Sequence, residues 1–133
     1  MSKLNLSFAC WGYDRMQPLA DGTVKPDGID LNFMDMEVEE TFFRQARFRE
    51  FDVSEMSLSS YTVSLFREKP PFVAIPVWPS RFFRHSCVYV NAKSGITKPK
   101  DLIGKKIGVP EFQMTAPVWI RGILEEHYGV PVD

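Results

Sequence analysis

Arg81, Arg84 and His85 fall within the stretch "SRFFRHSCVYV", directly before the apolar run Val88, Tyr89, Val90. Three cation-forming side chains at the entrance of a strand-like run need either water or an anion, because an unpaired buried cation costs several kcal/mol. Arginine forks match carboxylates in two-point fashion. Histidine gives and regains a proton near neutral pH. The cluster therefore reads as an anion site, against the plainer reading of a rim paired with acids such as Glu68, worth under about 1 kcal/mol per exposed pair. In an ideal strand Arg81 and His85 share one face and Arg84 points to the other, which favours Arg81 with His85.

Three further stretches carry groups suited to the same chemistry. Trp11, Tyr13, Asp14 and Arg15 follow the first strand-like run; Glu55, Ser57, Ser59 and Ser60 follow a second; Glu111, Gln113, Met114 and Thr115 precede the last helix. In parallel α/β sheets ligands bind beyond the carboxyl ends of strands, and helix starts favour anions. Trp11 and Tyr13 offer flat faces for a ring, although turn aromatics also serve as rim packing. Serines before a helix are ordinarily caps. His127, late in a helix, suits a structural role complementing the dipole. Metal binding is poorly supported: the two histidines lie far apart, and HxH, HExxH and CxxC spacings are absent. GxSxG is absent, so no pattern supports a nucleophilic triad, and the Walker and GxGxxG patterns are absent too, which speaks against nucleotide chemistry.

The elements that must position these residues follow from periodicity. Leu4, Leu6, Phe8 and Cys10 alternate with smaller or polar residues as a strand, and Ile29, Leu31 and Phe33 repeat the pattern. "EVEETFFRQARFRE" opens acidic and closes basic, a helix with Phe42, Phe43 and Ala46 expected inside. "FDV" reads as a short strand, followed by a helix capped by Ser57 with Leu58, Tyr61, Thr62 and Leu65 on one face. Prolines mark "PPFVAIPVWP" as an edge or crossing segment. "HSCVYVN" and Lys106–Val109 are expected strands, with a one-turn helix at Lys100–Ile103. A long helix is expected from about Ala116 to Tyr128, capped by Thr115, with Pro117 in its first turn and Gly129 as its stop. Trp119, Ile120, Ile123, Leu124 and His127 would line one of its faces. Strands alternating with helices imply an α/β fold with substantial parallel pairing. No internal repeat or low-complexity segment occurs.

Composition narrows the classes. The 133 residues are 44% hydrophobic, which suits one domain or part of a larger one. With 16 basic against 17 acidic residues, no whole-chain field favours nucleic acid or an acidic membrane. No run of about 18 apolar residues appears, and "MSKLNLSFACWGYDR" does not read as a secretory signal. Two cysteines, Cys10 and Cys87, are too few for a disulfide framework. The expectation is a cytoplasmic protein without nucleic-acid or membrane partners.

The blocks "FACWGYDR", "VEETFFR", "FDVSEMSLSSY", "WPSRFFRHS" and "DLIGKKIGVPEFQMTAPVWIRGIL" together resemble the N-terminal portion of the 4,5-dihydroxyphthalate decarboxylase family, over essentially all of the chain. The resemblance implies the type II periplasmic-binding-protein-like fold, two α/β lobes around a cleft. Residues 1–91 would form most of lobe one, 92–98 a crossover, and 99–133 the incomplete start of lobe two. Family chains are longer, so the sequence appears truncated, and surface left uncovered would favour a homo-oligomer.

The implied substrate is a small-molecule aromatic carboxylate, a catechol with two adjacent carboxylates. Its decarboxylation to 3,4-dihydroxybenzoate would draw on no metal and no cofactor. For that substrate, residue type and position suggest His85 as proton donor, Glu55 or Glu111 as acceptor of the phenolic proton, and Arg81 and Arg84 as carboxylate clamps. Thr115 and the N–H groups beside it would hold the second carboxylate, with Trp11 and Tyr13 on the ring and Arg15, Ser57, Ser59 and Gln113 completing the binding set. The competing expectation is a binding module that captures the same anion without chemistry.

Overall fold

The computed structural model describes residues 2–132 and divides the chain into two compact units. One comprises Met1–Ser57 with Ser64–Arg81; the other comprises Leu58–Val63 with Phe82–Asp133.

The first unit is built on a three-stranded parallel sheet in the order β2-β1-β3. β1 (Leu4–Cys10) is central, β2 (Ile29–Asp35) pairs along its whole length, and β3 (Val53–Ser54) meets only Phe8 and Ala9. The register sets Phe8 opposite Phe33, and their rings meet edge to face at 5.3 Å, a favourable cross-strand pairing. Burial concentrates at the carboxyl end of β1, where Ala9 and Cys10 are fully enclosed. Ser7 and Asp52 hook β1 to the start of β3. The Ser7 N–H and hydroxyl both donate to Asp52 Oδ2 at 2.8 Å, and the Asp52 N–H returns a bond to Ser7 Oγ.

Two helices flank these strands in sequence, α1 (Gln17–Ala20) and α2 (Val38–Phe48). The inner face of α2 is not the expected one. Thr41 and Gln45 are buried, whereas Phe43 is 60% exposed and packs edge-on against Phe48. The reason is hydrogen-bond supply. Gln45 takes the Phe51 N–H on its Oε1 at 3.1 Å and gives its Nε2 to the Phe51 carbonyl at 3.2 Å. Buried backbone groups must be paired, and Gln45 pairs both groups of Phe51. With Thr41 and Gln45 inside, Phe42 is half-buried while Phe43 and Ala46 stand exposed.

In the second unit, α4 (Thr115–Tyr128) is the principal element. Leu124 packs with Leu102 and Val130, with Ile96 and Ile120 against them. Gly129, at φ 64°, ends the helix as expected. The Val130 N–H reaches back to the Leu124 carbonyl at 3.0 Å, so the stop and the core contact are one device. The expected turn near residue 100 is a 3-10 turn, Pro99–Leu102.

Several expectations are corrected here. Thr115 does not cap α4: Met114 occupies the N-cap with extended backbone, and Thr115 is the first helical residue. In α4, Ile120 and Ile123 are half-buried, but Trp119 and His127 stand exposed. In α3 (Leu58–Ser64) the buried residue is Ser64, while Leu58 and Leu65 are largely exposed. The stretches expected as strands at His85–Asn91 and Lys106–Val109 form none among the described residues; Arg84–Ser86 is instead a 3-10 turn. A strand stands only when a neighbour takes its N–H and C=O groups, and no described strand lies in the second unit to do so.

Candidate functional site

Because β1 and β3 run parallel, their carboxyl ends open on the same edge of the sheet, and the residues that follow them converge. Glu55 follows β3 directly and is only 7% exposed. Its Oε1 accepts the Tyr13 hydroxyl at 2.8 Å; its Oε2 accepts the Trp11 N–H at 3.4 Å and the Cys10 thiol at 3.6 Å. The Glu55 N–H is itself pinned to the Ala9 carbonyl at 2.9 Å. A buried carboxylate is tolerated only with such partners. Its presence reshapes its donors: burial first, then the Glu55 carboxylate, pushes both the Cys10 thiol and the Tyr13 hydroxyl up to about 12. Both therefore remain protonated donors at neutral pH.

Trp11 and Tyr13 stack at 6.5 Å with an interplanar angle of 28°. The Arg15 guanidinium lies 5.4 Å from the Tyr13 ring centroid, donates to the Pro79 carbonyl and meets Asp14 at 3.2 Å. The structure thus brings together Trp11, Tyr13, Arg15 and Glu55 within the first unit. Ser57 lies just beyond, buried. Cys10 belongs to the cluster but reads in the sequence as one more inward strand residue. Its place as the last residue of a central strand was the available signal.

A groove of about 610 Å³ opens beside Trp11, lined by Met34, Asp35, Met36, Glu37, Glu40 and Arg44. Arg44 is already held by Glu40 at 2.8 Å and by Glu50. The groove's remaining carboxylates make it a poor receptor for an anion. Gly12 sits tight against this wall: a Cβ there would stand 2.6 Å from Asp35 Oδ2.

The cationic cluster is divided between the units. Arg81 closes the first, exposed, with its guanidinium 5.9 Å from the Trp78 ring. Arg84 and His85 belong to the second, within the 3-10 turn. The strand-face argument joining Arg81 to His85 therefore does not apply. Arg84 lies 5.5 Å from the Phe82 ring. His85 stacks on Phe83 at 5.1 Å and lies 5.8 Å from the His127 ring, centroid to centroid.

A second group in this unit gathers at the starts of α3 and α4. The Ser59 N–H donates to Thr115 Oγ1 at 3.2 Å, the Ser59 hydroxyl donates to the Gln113 carbonyl, and Gln113 Nε2 reaches Ser60 Oγ at 3.3 Å. Glu111 stands exposed, its carbonyl accepting the Met114 N–H. Among the described residues no group of three or more His, Cys, Asp or Glu converges as a metal site, and no helix is long and apolar enough to cross a membrane.

No family model matches the chain. Over 130 residues, 98% of the chain, it is 57% identical to a 4,5-dihydroxyphthalate decarboxylase of Comamonas testosteroni. Over the same share it is 50% identical to a 4,5-dihydroxyphthalate decarboxylase of Pseudomonas putida. It spans 39% of the first relative's length and 50% of the second's. Over nearly all of its own length, then, the chain is similar to part of two 4,5-dihydroxyphthalate decarboxylases.

Proposed function

We propose that the chain is part of a carboxy-lyase that converts 4,5-dihydroxyphthalate to 3,4-dihydroxybenzoate and carbon dioxide, a step of phthalate degradation. The observation that carries this reading is 57% identity across 98% of the chain to a protein of that name. The reading brings with it a cytoplasmic location, the type II periplasmic-binding-protein-like fold, and lobe boundaries at 1–91, 92–98 and 99–133.

The substrate supplies its own driving force. Each ring hydroxyl is para to a carboxylate. Removing one phenolic proton pushes electron density to the ring carbon bearing the departing carboxylate. That carbon takes a proton, the carbon–carbon bond breaks toward carbon dioxide, and the ring regains its aromaticity. One proton leaves an oxygen and one arrives at carbon, so the protein needs a base, an acid and a clamp for the carboxylate that stays.

Glu55 is suited to the base, a carboxylate at the carboxyl edge of the sheet. The Tyr13 hydroxyl, 2.8 Å from it, could pass the phenolic proton or hold the carboxylate in place. The exposed Glu111 is the other candidate base. His85 would be the donor to carbon, its ring steadied against Phe83. Arg81 or Arg84 would hold a carboxylate. Thr115, Ser59 and Gln113 would offer hydrogen bonds to the second carboxylate, and Trp11, Tyr13, Arg15 and Ser57 are the further binding candidates.

The test is carbon dioxide release from 4,5-dihydroxyphthalate by this chain and by a version extended to the length of the longer relative. Release by the extended chain, reduced at least about tenfold by His85→Asn, is expected. Substrate binding by both chains with release by neither would overturn the reading in favour of a binding module.

A further inference from the structure

His85 and His127 are distant in sequence, yet packing of the Arg84–Ser86 turn against the last part of α4 sets their rings 5.8 Å apart at a tilt of 41°. Both side chains are exposed, and both lie within the second unit. An ion bonded at about 2.0–2.1 Å to one nitrogen of an imidazole lies about 3.2 Å from the ring centroid. Two rings sharing one ion therefore have centroids no farther apart than about 6.4 Å. The observed spacing of 5.8 Å falls inside that limit.

We propose that His85 and His127 form a two-imidazole site for a borderline transition-metal ion, with zinc the natural occupant. Imidazole is a ligand of choice for zinc, copper and nickel. The stack on Phe83 restrains the His85 ring, so one ligand is held in advance. His127, in the last turn of a helix ended by Gly129, is the ring free to adjust. With no group of three or more His, Cys, Asp or Glu gathered among the described residues, the two rings supply the protein ligands and water completes the shell. Such a site is weaker than a four-ligand structural one. The proposal rests on the two rings alone, and it competes with the donor role argued for His85: a ring nitrogen bonded to zinc cannot carry the proton for carbon, so zinc would inhibit any release that uses His85.

Calorimetric titration of the metal-stripped chain with zinc chloride at pH 7.5 tests it. One ion per chain is expected, with affinity falling roughly tenfold or more in His85→Asn and in His127→Asn, and retained in Cys87→Ser. Affinity should fall as the pH is lowered, because a protonated imidazole cannot bind metal. Zinc should also shift the ring-proton resonances of both histidines together in the unaltered chain, a readout that needs no variant to fold. Unchanged affinity in His127→Asn, a shift confined to one histidine, loss of binding in Cys87→Ser alone, or no binding at all would each overturn the proposal.

Discussion

Tyr13→Phe tests the bond that holds the candidate carboxylate, together with the hydrogen bond that the same hydroxyl makes with Ser80. It removes one oxygen and leaves the ring, so the stack with Trp11 and the Arg15 contact remain. The bond lost is the shortest of the three to Glu55, 2.8 Å against 3.4 Å from the Trp11 N–H and 3.6 Å from the Cys10 thiol. The two survivors are weak, the first beyond the usual N–H···O range and the second from a poor donor. A hydrogen bond to a charged group contributes about 1.5–3 kcal/mol. Tyr13 is half-buried, so water partly replaces its hydroxyl, which places the expected loss at about 1.5–2 kcal/mol. With a urea slope of about 1–3 kcal/mol per molar, the unfolding midpoint should fall by roughly 1 M. A double-mutant cycle with Glu55→Gln should return a coupling of at least about 1 kcal/mol. A midpoint unchanged to within about 0.2 M, or additive effects in the cycle, would refute the view that Tyr13 stabilises Glu55.

Gln45→Ala should lower stability by about 2–3 kcal/mol, since it leaves the buried Phe51 N–H and carbonyl without partners; an equilibrium urea curve gives the value. Alkaline stability follows from the raised Cys10 and Tyr13 values. The folded chain keeps protons that the unfolded chain gives up near 9 and 10, so this contribution is complete below about pH 9 and lost as pH rises toward 12. Urea midpoints from pH 8 to 12 should therefore fall, less steeply in Tyr13→Phe. At the acid end, the Ser7 N–H and hydroxyl hold Asp52 below the usual aspartate range. Its contribution is present above that range and disappears as pH falls through the depressed value, so Asp52→Asn should flatten the decline measured between pH 6 and 2.

The residues of β1 and β2 announced themselves through alternation, which in β2 follows a half-buried and a more exposed face, whereas in β1 burial rises along the strand from exposed Leu4 to enclosed Ala9 and Cys10. Gly129 was equally legible: a helix end needing φ > 0 selects glycine locally. Glu55 could be placed just past a strand, which was enough to single it out, but not the three donors that surround it. What escaped depended on partners far along the chain. Phe43 and Ala46 look like part of an inner face until Gln45 is needed to pair the backbone of Phe51. The run Val88–Tyr89–Val90 has every strand-forming residue type and no described strand beside it. The His85–His127 approach had no sequence signal, because no spacing rule relates a 3-10 turn to the far end of a helix.

The position of β1 between two parallel neighbours has a kinetic meaning. β2 returns to it over a short crossover, whereas the Ser7–Asp52 hook closes a span of 45 residues and is rewarded by only two paired positions in β3. Closure entropy grows with span, and non-local pairing forms late when few contacts repay it. The β1–β2 pair should thus form early, with β3 docking last and leaving first. Glu55 travels with β3, so the candidate carboxylate meets Tyr13 and Cys10 only when this last segment has docked. The shielding of the Cys10 thiol is then a clock for the final step: its reactivity toward a thiol reagent during refolding should fade with the slowest phase, when β3 closes over the edge of the sheet.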